Sequence, residues 1–147
     1  MRNGKSGSAR GADYRLDDQI GFILRQVSQR HAAIFAVGVE GEVTATQWAA
    51  LSKLAETGSL SQNHLGRLTG MDAATIKGVI DRLSQRGLAG TSDDPDDGRR
   101  RRVTLTEAGH DLVARLAPRA LRITEETLSP LAETERQALH VLLAKLL

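Results

Sequence analysis

The chain has 147 residues, of which 40% are hydrophobic and 26% charged, with a formal net charge of +2 and no cysteine. This composition is typical of a globular protein with one core, and it excludes disulfides, cysteine-ligated zinc, iron–sulfur clusters and thiol chemistry. No apolar run reaches the length of a membrane span, and the basic N-terminus lacks the apolar segment of a secretory signal. We therefore expect a cytoplasmic protein with no membrane partner.

The N-terminal third predicts an arm followed by one long helix. Residues 1–12 are small, polar and basic, and we expect a disordered basic arm. From Leu16 to Phe35 apolar side chains recur every three or four residues, which predicts an amphipathic helix of about 25 residues ending at Gly38 and Gly41. A helix of this length favours packing against more than its own domain.

Three shorter helices follow, each with a capping side chain at its start and a glycine at its end. The pairs are Thr44 with Gly58, Ser61 with Gly70, and Asp72 with Gly87.

A β-hairpin is predicted next, because the hydrophobic period changes from helical spacing to alternation. Residues 88–92 and 101–105 are the strands, and the Asp/Pro/Gly-rich stretch 93–98 is a polar turn. Thr106 caps a fifth helix, which Pro118 is expected to kink or split. A leucine-rich helix from Glu133 to Leu147 closes the chain.

The order of these elements predicts a mainly α (α+β) fold, a winged helix-turn-helix with long N- and C-terminal dimerisation helices. The predicted boundaries are the arm at 1–12, a dimerisation helix at 13–43, the DNA-binding domain at 44–106 and C-terminal dimerisation helices at 107–147. The long first helix and the leucine-rich last helix carry more apolar surface than a three-helix head can cover. One larger monomeric core is the alternative.

In a winged helix-turn-helix, the helix after the tight turn reads the major groove. Its face opposite the apolar stripe is small and polar: Ala73, Ala74, Thr75, Lys77, Gly78 and Arg82. Ser61, Gln62 and Asn63 begin the preceding helix, whose free N–H groups favour phosphate. Four arginines, residues 99–102, follow the hairpin turn, and arginine suits a narrow minor groove. An arginine run alone is more often a solvated loop. The prediction of DNA binding therefore depends on the arginines occurring together with the capped helices, the glycine turn and the hairpin.

These stretches resemble the MarR family of bacterial winged-helix regulators over about residues 13–147. The specific stretches are Asp94-Pro95-Asp96-Asp97-Gly98-Arg99-Arg100 and Val103-Thr104-Leu105-Thr106-Glu107-Ala108-Gly109, with Val79-Ile80-Asp81-Arg82-Leu83 before them. The resemblance implies a homodimer on a pseudo-palindromic operator in double-stranded DNA, with wing tips in the minor groove. It implies that Asp97 orients the wing and that Arg99 is the minor-groove arginine, with Arg100 and Arg101 as further DNA candidates. It also implies that Asp81 and Arg82 tie the reading helix to the wing by ion pairs.

The sequence departs from the family pattern at two positions. His64 stands where relatives often have an acidic residue that completes a capping box with Ser61. Gly78 stands where many relatives have a larger polar or basic residue, so one base contact is missing and the helix is weakened by about 1 kcal/mol relative to alanine.

Many relatives are repressors released by small phenolic or aromatic carboxylate ligands, bound between the dimer helices and the head. His31 lies on the apolar stripe of the first helix, and Trp48 is expected nearby on the second. We take His31, Trp48 and, less strongly, Arg25 as ligand candidates; a hydrogen-bonded core histidine is the more common use of such a residue. The four histidines show no metal-ligand spacing, and no cofactor is expected.

The prediction is therefore a homodimeric, sequence-specific transcriptional repressor released by a small aromatic acid or phenol. The alternative is a constitutive or architectural DNA-binding protein without a ligand. No hydrolase, P-loop, dinucleotide or zinc-protease motif is present, so an enzyme is not expected.

Overall fold

A computed structural model describes residues 13–147, so the predicted arm at 1–12 lies outside the described residues. The helices are α1 (Ile20–Gly38), α2 (Ala45–Thr57), α3 (Gln62–Thr69), α4 (Ala73–Gln85), α5 (Glu107–Leu128) and α6 (Glu133–Ala144). The strands are β1 (Leu60–Ser61), β2 (Ala89–Asp93) and β3 (Arg101–Leu105). The predicted mainly α winged helix-turn-helix is confirmed.

Side-chain caps fix the starts of the helices in the head, as the sequence predicts. Thr44, Ser61, Asp72 and Thr106 each accept a hydrogen bond from the backbone N–H three residues later. The shortest of these contacts joins Thr75 N–H to Asp72 Oδ1 at 2.7 Å. Because these caps satisfy otherwise free backbone donors, they define where α2, α3, α4 and α5 begin.

The first and last helices are shorter than predicted. Leu16–Asp18 form a separate 3₁₀ turn, and Gln19 is extended, so α1 begins only at Ile20. At the other end α6 stops at Ala144, and the N–H of Leu146 bonds to the oxygen of Leu143 in a tight turn. The helical period continues through both ends, but Leu16, Leu146 and Leu147 are exposed, so no packing within the chain enforces helix there.

The prediction that Pro118 could split the fifth helix is wrong, because α5 continues through it. Pro118 cannot donate to the carbonyl of Ala114, and both residues are exposed, so water can hydrate that oxygen. On the opposite side Leu112, Leu116 and Ile123 are buried and hold both halves of the helix on the core.

The sheet has three strands, in the order β1-β3-β2, rather than the two of the predicted hairpin. The hairpin pairs Ala89 with Leu105 and Asp93 with Arg101, so its first strand is shifted by one residue from 88–92. On the other edge β1 pairs Leu60 with Val103 and Ser61 with Arg102. Two residues are too few to show an alternating pattern, so the sequence does not predict β1.

The core is built by α2, α3, α4 and the sheet together with Phe35 of α1 and the buried face of α5, and α5 begins at a close contact at Gly109. A Cβ at Gly109 would overlap the carbonyl oxygen of Leu88. Thr106 N–H donates to the same oxygen at 3.1 Å. Glycine at this position therefore lets α5 start directly beside the β2 strand. The hydrogen bond from Thr106 ties α5 to the head.

Two helices leave apolar faces outside this core. Ile20, Ile23, Leu24 and Val27 on α1 are 40–62% exposed, although Phe35 of the same helix is buried. Leu142 and Leu143 on α6 are also exposed. Within residues 13–147 these apolar faces therefore stay uncovered, rather than being buried in the single larger core that was the alternative. No helix among residues 13–147 combines the length and hydrophobicity that crossing a membrane requires.

Candidate nucleic-acid interface and ligand cavity

The turn between α3 and α4 sets the position of α4. Gly70 ends α3 in the left-handed conformation, at φ 67° and ψ 25°, and Met71 N–H donates to the oxygen of Gly66. A Cβ at Gly66 would lie 3.2 Å from an Ile76 methyl group, so the absence of a side chain lets the two helices pack closely. The turn therefore presents the first residues of α4 at the surface of the head.

The two faces of α4 divide as the sequence predicts. Ile76, Val79, Ile80 and Leu83 are buried in the head. Ala73, Ala74, Thr75, Lys77 and Arg82 are exposed, and Gly78 is half-buried. The exposed face combines small side chains, which permit close approach, with a hydroxyl and two cations.

The expected ion pairs from α4 to the wing are not formed. Asp81 pairs with Lys77 of its own helix, with Nζ and Oδ2 2.7 Å apart. This hydrogen bond lowers the pKa of the Asp81 carboxyl. Arg82 makes no ion pair with any residue of the described chain. Asp81 pairs within its own helix because Lys77 lies one helical turn before it and is a nearer donor than any wing side chain.

The wing is instead held by the residues of its own tip and by the segment before β1. Asp97 Oδ1 accepts the N–H of Arg99 at 3.0 Å, and its carbonyl oxygen accepts the N–H of Arg100 at 2.9 Å. Arg102 pairs with Asp94 and also donates to Ser59. These contacts fix the backbone of the turn that carries Asp97.

A cleft joins the wing to the start of α3. Its volume is about 140 Å³, and its walls are Ser61, Gln62, Asn63, Arg99, Arg100 and Arg101. The fold thus brings together two groups of predicted site residues that are almost 40 positions apart in sequence. With a helix N-terminus on one side and three arginines on the other, the electrostatics favour an anion such as phosphate.

A separate cavity of about 150 Å³ lies between α1, α2 and α5. It is lined by His31, Phe35, Trp48, Ala120, Ile123 and Thr124. His31 Nδ1 lies 2.9 Å from Thr127 Oγ1, and the ring itself is exposed, so His31 is hydrogen-bonded but is not a buried core residue. Two of the three ligand candidates, His31 and Trp48, therefore share one cavity.

Arg25, the third candidate, does not line this cavity. It is exposed on α1, and its guanidinium carbon lies 5.6 Å from the centre of the Phe22 ring. A larger apolar hollow of about 480 Å³ is also lined by Trp48 and shares Ala120 and Thr124 with the first cavity.

Sequence reasoning missed the ion pairs that connect the α1–α2 turn to α5. Arg115 donates to both carboxylate oxygens of Glu42, at 2.7 and 2.6 Å. The hydrogen bond from Arg115 is the main reason that the pKa of Glu42 is lowered. Arg119 lies 3.3 Å from Glu40, which has a positive φ of 52°. Partners more than 70 residues apart leave no local pattern, so nothing in the sequence indicates this contact.

Comparisons with known proteins find relatives of this chain. The model of the MarR family matches residues 42–100. The chain is 38% identical to the transcriptional repressor NicR of Pseudomonas putida, over 91% of this chain and 85% of that protein.

Two solved structures are similar over nearly the whole chain. One is a probable transcriptional regulator from Pseudomonas aeruginosa, with 56% identity, a TM-score of 0.86, and coverage of 90% of this chain and 100% of that one. The other is BpsR of Bordetella bronchiseptica, with 39% identity, a TM-score of 0.88, and coverage of 92% and 97%. DNA binding by BpsR is regulated by 6-hydroxynicotinic acid.

Proposed function

The chain belongs to the MarR family of transcriptional regulators, and from that premise we propose that it is a homodimeric repressor released from its operator by an aromatic acid. The observation that carries the proposal is the cleft between α3 and the wing. It unites the N–H groups at the start of α3 with the three arginines of the wing.

The DNA-binding part of the proposal assigns one groove to each surface. Thr75 and Lys77 on the exposed face of α4 contact base edges or phosphates in the major groove. Arg99 enters the neighbouring minor groove, where a narrow width strengthens the negative potential. The residues lining the cleft, Ser61 to Asn63 and Arg99 to Arg101, bind the phosphates between the two grooves.

The dimer is supported by the exposed apolar faces of α1 and α6. Ile20, Leu24 and Val27 form a stripe on α1, and Leu143 lines an apolar hollow with Leu24. Monomeric proteins rarely expose apolar patches of this kind, so a second copy of the chain is the occupant that the proposal assigns. A twofold dimer presents two α4 helices to a pseudo-palindromic operator.

Release by the ligand depends on spacing. The two reading helices must lie about 34 Å apart to enter successive major grooves. The cavity lined by His31 and Trp48 lies between the dimerisation helix α1, the head helix α2 and α5, so an occupant can change the angle of the head. The ligand releases DNA only if it binds the non-matching arrangement more tightly.

The decisive experiment selects bound sequences from a random DNA pool and then competes the selected operator with 6-hydroxynicotinic acid. We expect tight binding with a steep salt dependence, and release by the acid. If the acid raises the melting temperature of the protein in the absence of DNA, it binds the protein itself. Binding of DNA without any shift or release would favour the constitutive, ligand-free alternative.

A further inference from the structure

The hydrogen bonds around His31 determine which of its ring nitrogens carries a proton. Its Nδ1 lies 2.9 Å from the hydroxyl of Thr127 on α5. The same hydroxyl lies 2.8 Å from the carbonyl oxygen of Ile123, one turn earlier. A hydroxyl has one proton, and a carbonyl oxygen can only accept, so both contacts are hydrogen bonds at once only if Thr127 donates to Ile123 and accepts from His31. This arrangement requires a proton on His31 Nδ1.

This leaves Nε2 as the nitrogen that can meet a ligand. In a neutral imidazole only one nitrogen is protonated, so Nε2 has a free lone pair and accepts a hydrogen bond. No described side chain or backbone group, within residues 13–147, is hydrogen-bonded to Nε2. The ring of His31 lines the cavity that it shares with Trp48.

The other walls of the cavity contribute little polarity. Phe35, Ala120 and Ile123 are apolar, and the other polar groups among the lining side chains are the Trp48 indole N–H and the Thr124 hydroxyl. An apolar cavity of about 150 Å³ is known to hold benzene, so this one accommodates a single aromatic ring. The guanidinium of the neighbouring Arg30 is already hydrogen-bonded within the chain, because it donates to the carbonyl oxygens of Thr127 and Glu126.

We propose that Thr127 selects the Nδ1–H tautomer of His31, so that Nε2 accepts a hydrogen bond from a hydroxyl or ring N–H of the ligand. The site then takes aromatic acids that carry such a donor, and it discriminates against acids that present only acceptors there. Thr127 is a positioning residue, since it acts through His31. The inference rests on the proposed function and narrows its ligand class.

The tautomer is measured first, without any ligand. Protein labelled with nitrogen-15 is studied at about pH 8.5, where imidazoles are neutral. The chain has four histidines, so the spectrum of His31→Asn identifies the signals of His31 by their loss. We expect a protonated Nδ1 and an unprotonated Nε2 in the wild type. Thr127→Val should shift the balance towards Nε2–H, and Thr127→Ser, which keeps the hydroxyl, should restore the wild-type spectrum.

The second measurement compares three probes by calorimetry. The first is 6-hydroxynicotinic acid, which carries a donor. The second is 6-methoxynicotinic acid, which has an acceptor in place of the hydroxyl. The third is nicotinic acid, which lacks the substituent, has only its ring nitrogen as an acceptor on the ring, and controls for bulk. We expect the hydroxy acid to bind the wild type roughly tenfold more tightly than the other two, as expected for one hydrogen bond. In Thr127→Val this ratio should fall towards one, and Thr127→Ser should keep it.

The outcomes separate the two proposals. A merely structural role of Thr127 would weaken all probes equally and leave their ratio unchanged. A wild-type His31 protonated at Nε2, or equal affinity for the three probes, overturns the inference. If the wild type binds none of the probes, the ligand class of the proposed function is wrong, while the nitrogen spectra still decide the tautomer.

Discussion

At the tip of the wing, the arginines differ in how strongly the protein itself holds them. Arg100 pairs with Asp97 and Arg102 with Asp94. The guanidinium of Arg99 has no ion-pair partner anywhere in residues 13–147. Only the backbone N–H of Arg99 donates to Asp97 Oδ1. Because it is exposed and free of these internal contacts, Arg99 can enter a groove without first breaking an ion pair.

We therefore expect Arg99→Ala to weaken operator binding by about 1–3 kcal/mol, which is roughly fivefold to 150-fold. Fluorescence anisotropy over a series of salt concentrations should also show a shallower salt slope, because fewer counterions are released. Lys53→Ala is the matched control, since it removes one charge from an exposed pair on α2. Equal losses in the two variants would contradict the assignment of Arg99 to a groove.

The carboxyl of Glu42 makes a pH-dependent contact. Its pKa is lowered in the folded chain by the hydrogen bond from Arg115. A lowered folded pKa means that the contact contributes fully above the unfolded value of about 4.3, and that this contribution is lost as the pH falls through the folded pKa.

We expect Glu42→Gln to lower the melting temperature at pH 7, with the difference from wild type shrinking below about pH 4. Glu126→Gln is the control, because the Glu126 carboxylate makes no ion pair with any described residue. Differential scanning calorimetry from pH 7 to 3 makes the comparison. A difference that persists unchanged at pH 3 would show that the carboxylate charge is not the cause.

At the scale of the elements, two glycines in helices have opposite roles. A Cβ at Gly78 in α4 would meet only the end of the Arg82 side chain, at 3.7 Å. A Cβ at Gly109 in α5 would overlap the backbone oxygen of Leu88. Glycine is a weak helix former in both places, but only Gly109 is required by packing.

Gly78→Ala should therefore stabilise the protein by about 1 kcal/mol, while Gly109→Ala should destabilise it by more than that amount. Urea unfolding of both variants and the wild type measures the difference. Since a single added methyl group hardly changes the surface exposed on unfolding, the slopes should remain similar and only the midpoints should move. Destabilisation by Gly78→Ala would indicate a contact that the structure does not show.

At the scale of the whole molecule, the exposed faces of α1 and α6 determine the oligomeric state that we propose. Leu24 on α1 and Leu143 on α6 border the same apolar hollow, and each is 40% exposed in the single chain. A charge placed there would have to be desolvated in a dimer interface, at a cost of several kcal/mol.

The double variant Leu24→Glu/Leu143→Glu should be monomeric and should bind a full operator far more weakly than the wild type. Light scattering coupled to size exclusion gives the mass, and circular dichroism checks that the head remains folded. Leu68→Glu changes an exposed leucine of the head instead, on α3, and should remain dimeric. A dimeric double variant would exclude this face as the interface.

The sequence alone was sufficient for most of the local structure. The caps at Thr44, Ser61 and Asp72 act within three residues, so the local sequence specifies them. The same holds for the division of α4 into two faces and for the turn that carries Asp97. Helix ends were overestimated at Leu16 and Leu147, because periodicity does not show whether a side chain has a partner to pack against.

Tertiary structure decided which of these residues meet. It brings Ser61 to Arg99 across the cleft, and it joins His31 to Thr127 and Glu42 to Arg115. It also assigns Asp81 to Lys77 rather than to the wing. Periodicity and capping depend on neighbours within about one helical turn, and the sequence records them directly. Contacts between residues many positions apart depend on how the helices pack, and no local pattern in a single sequence records that packing.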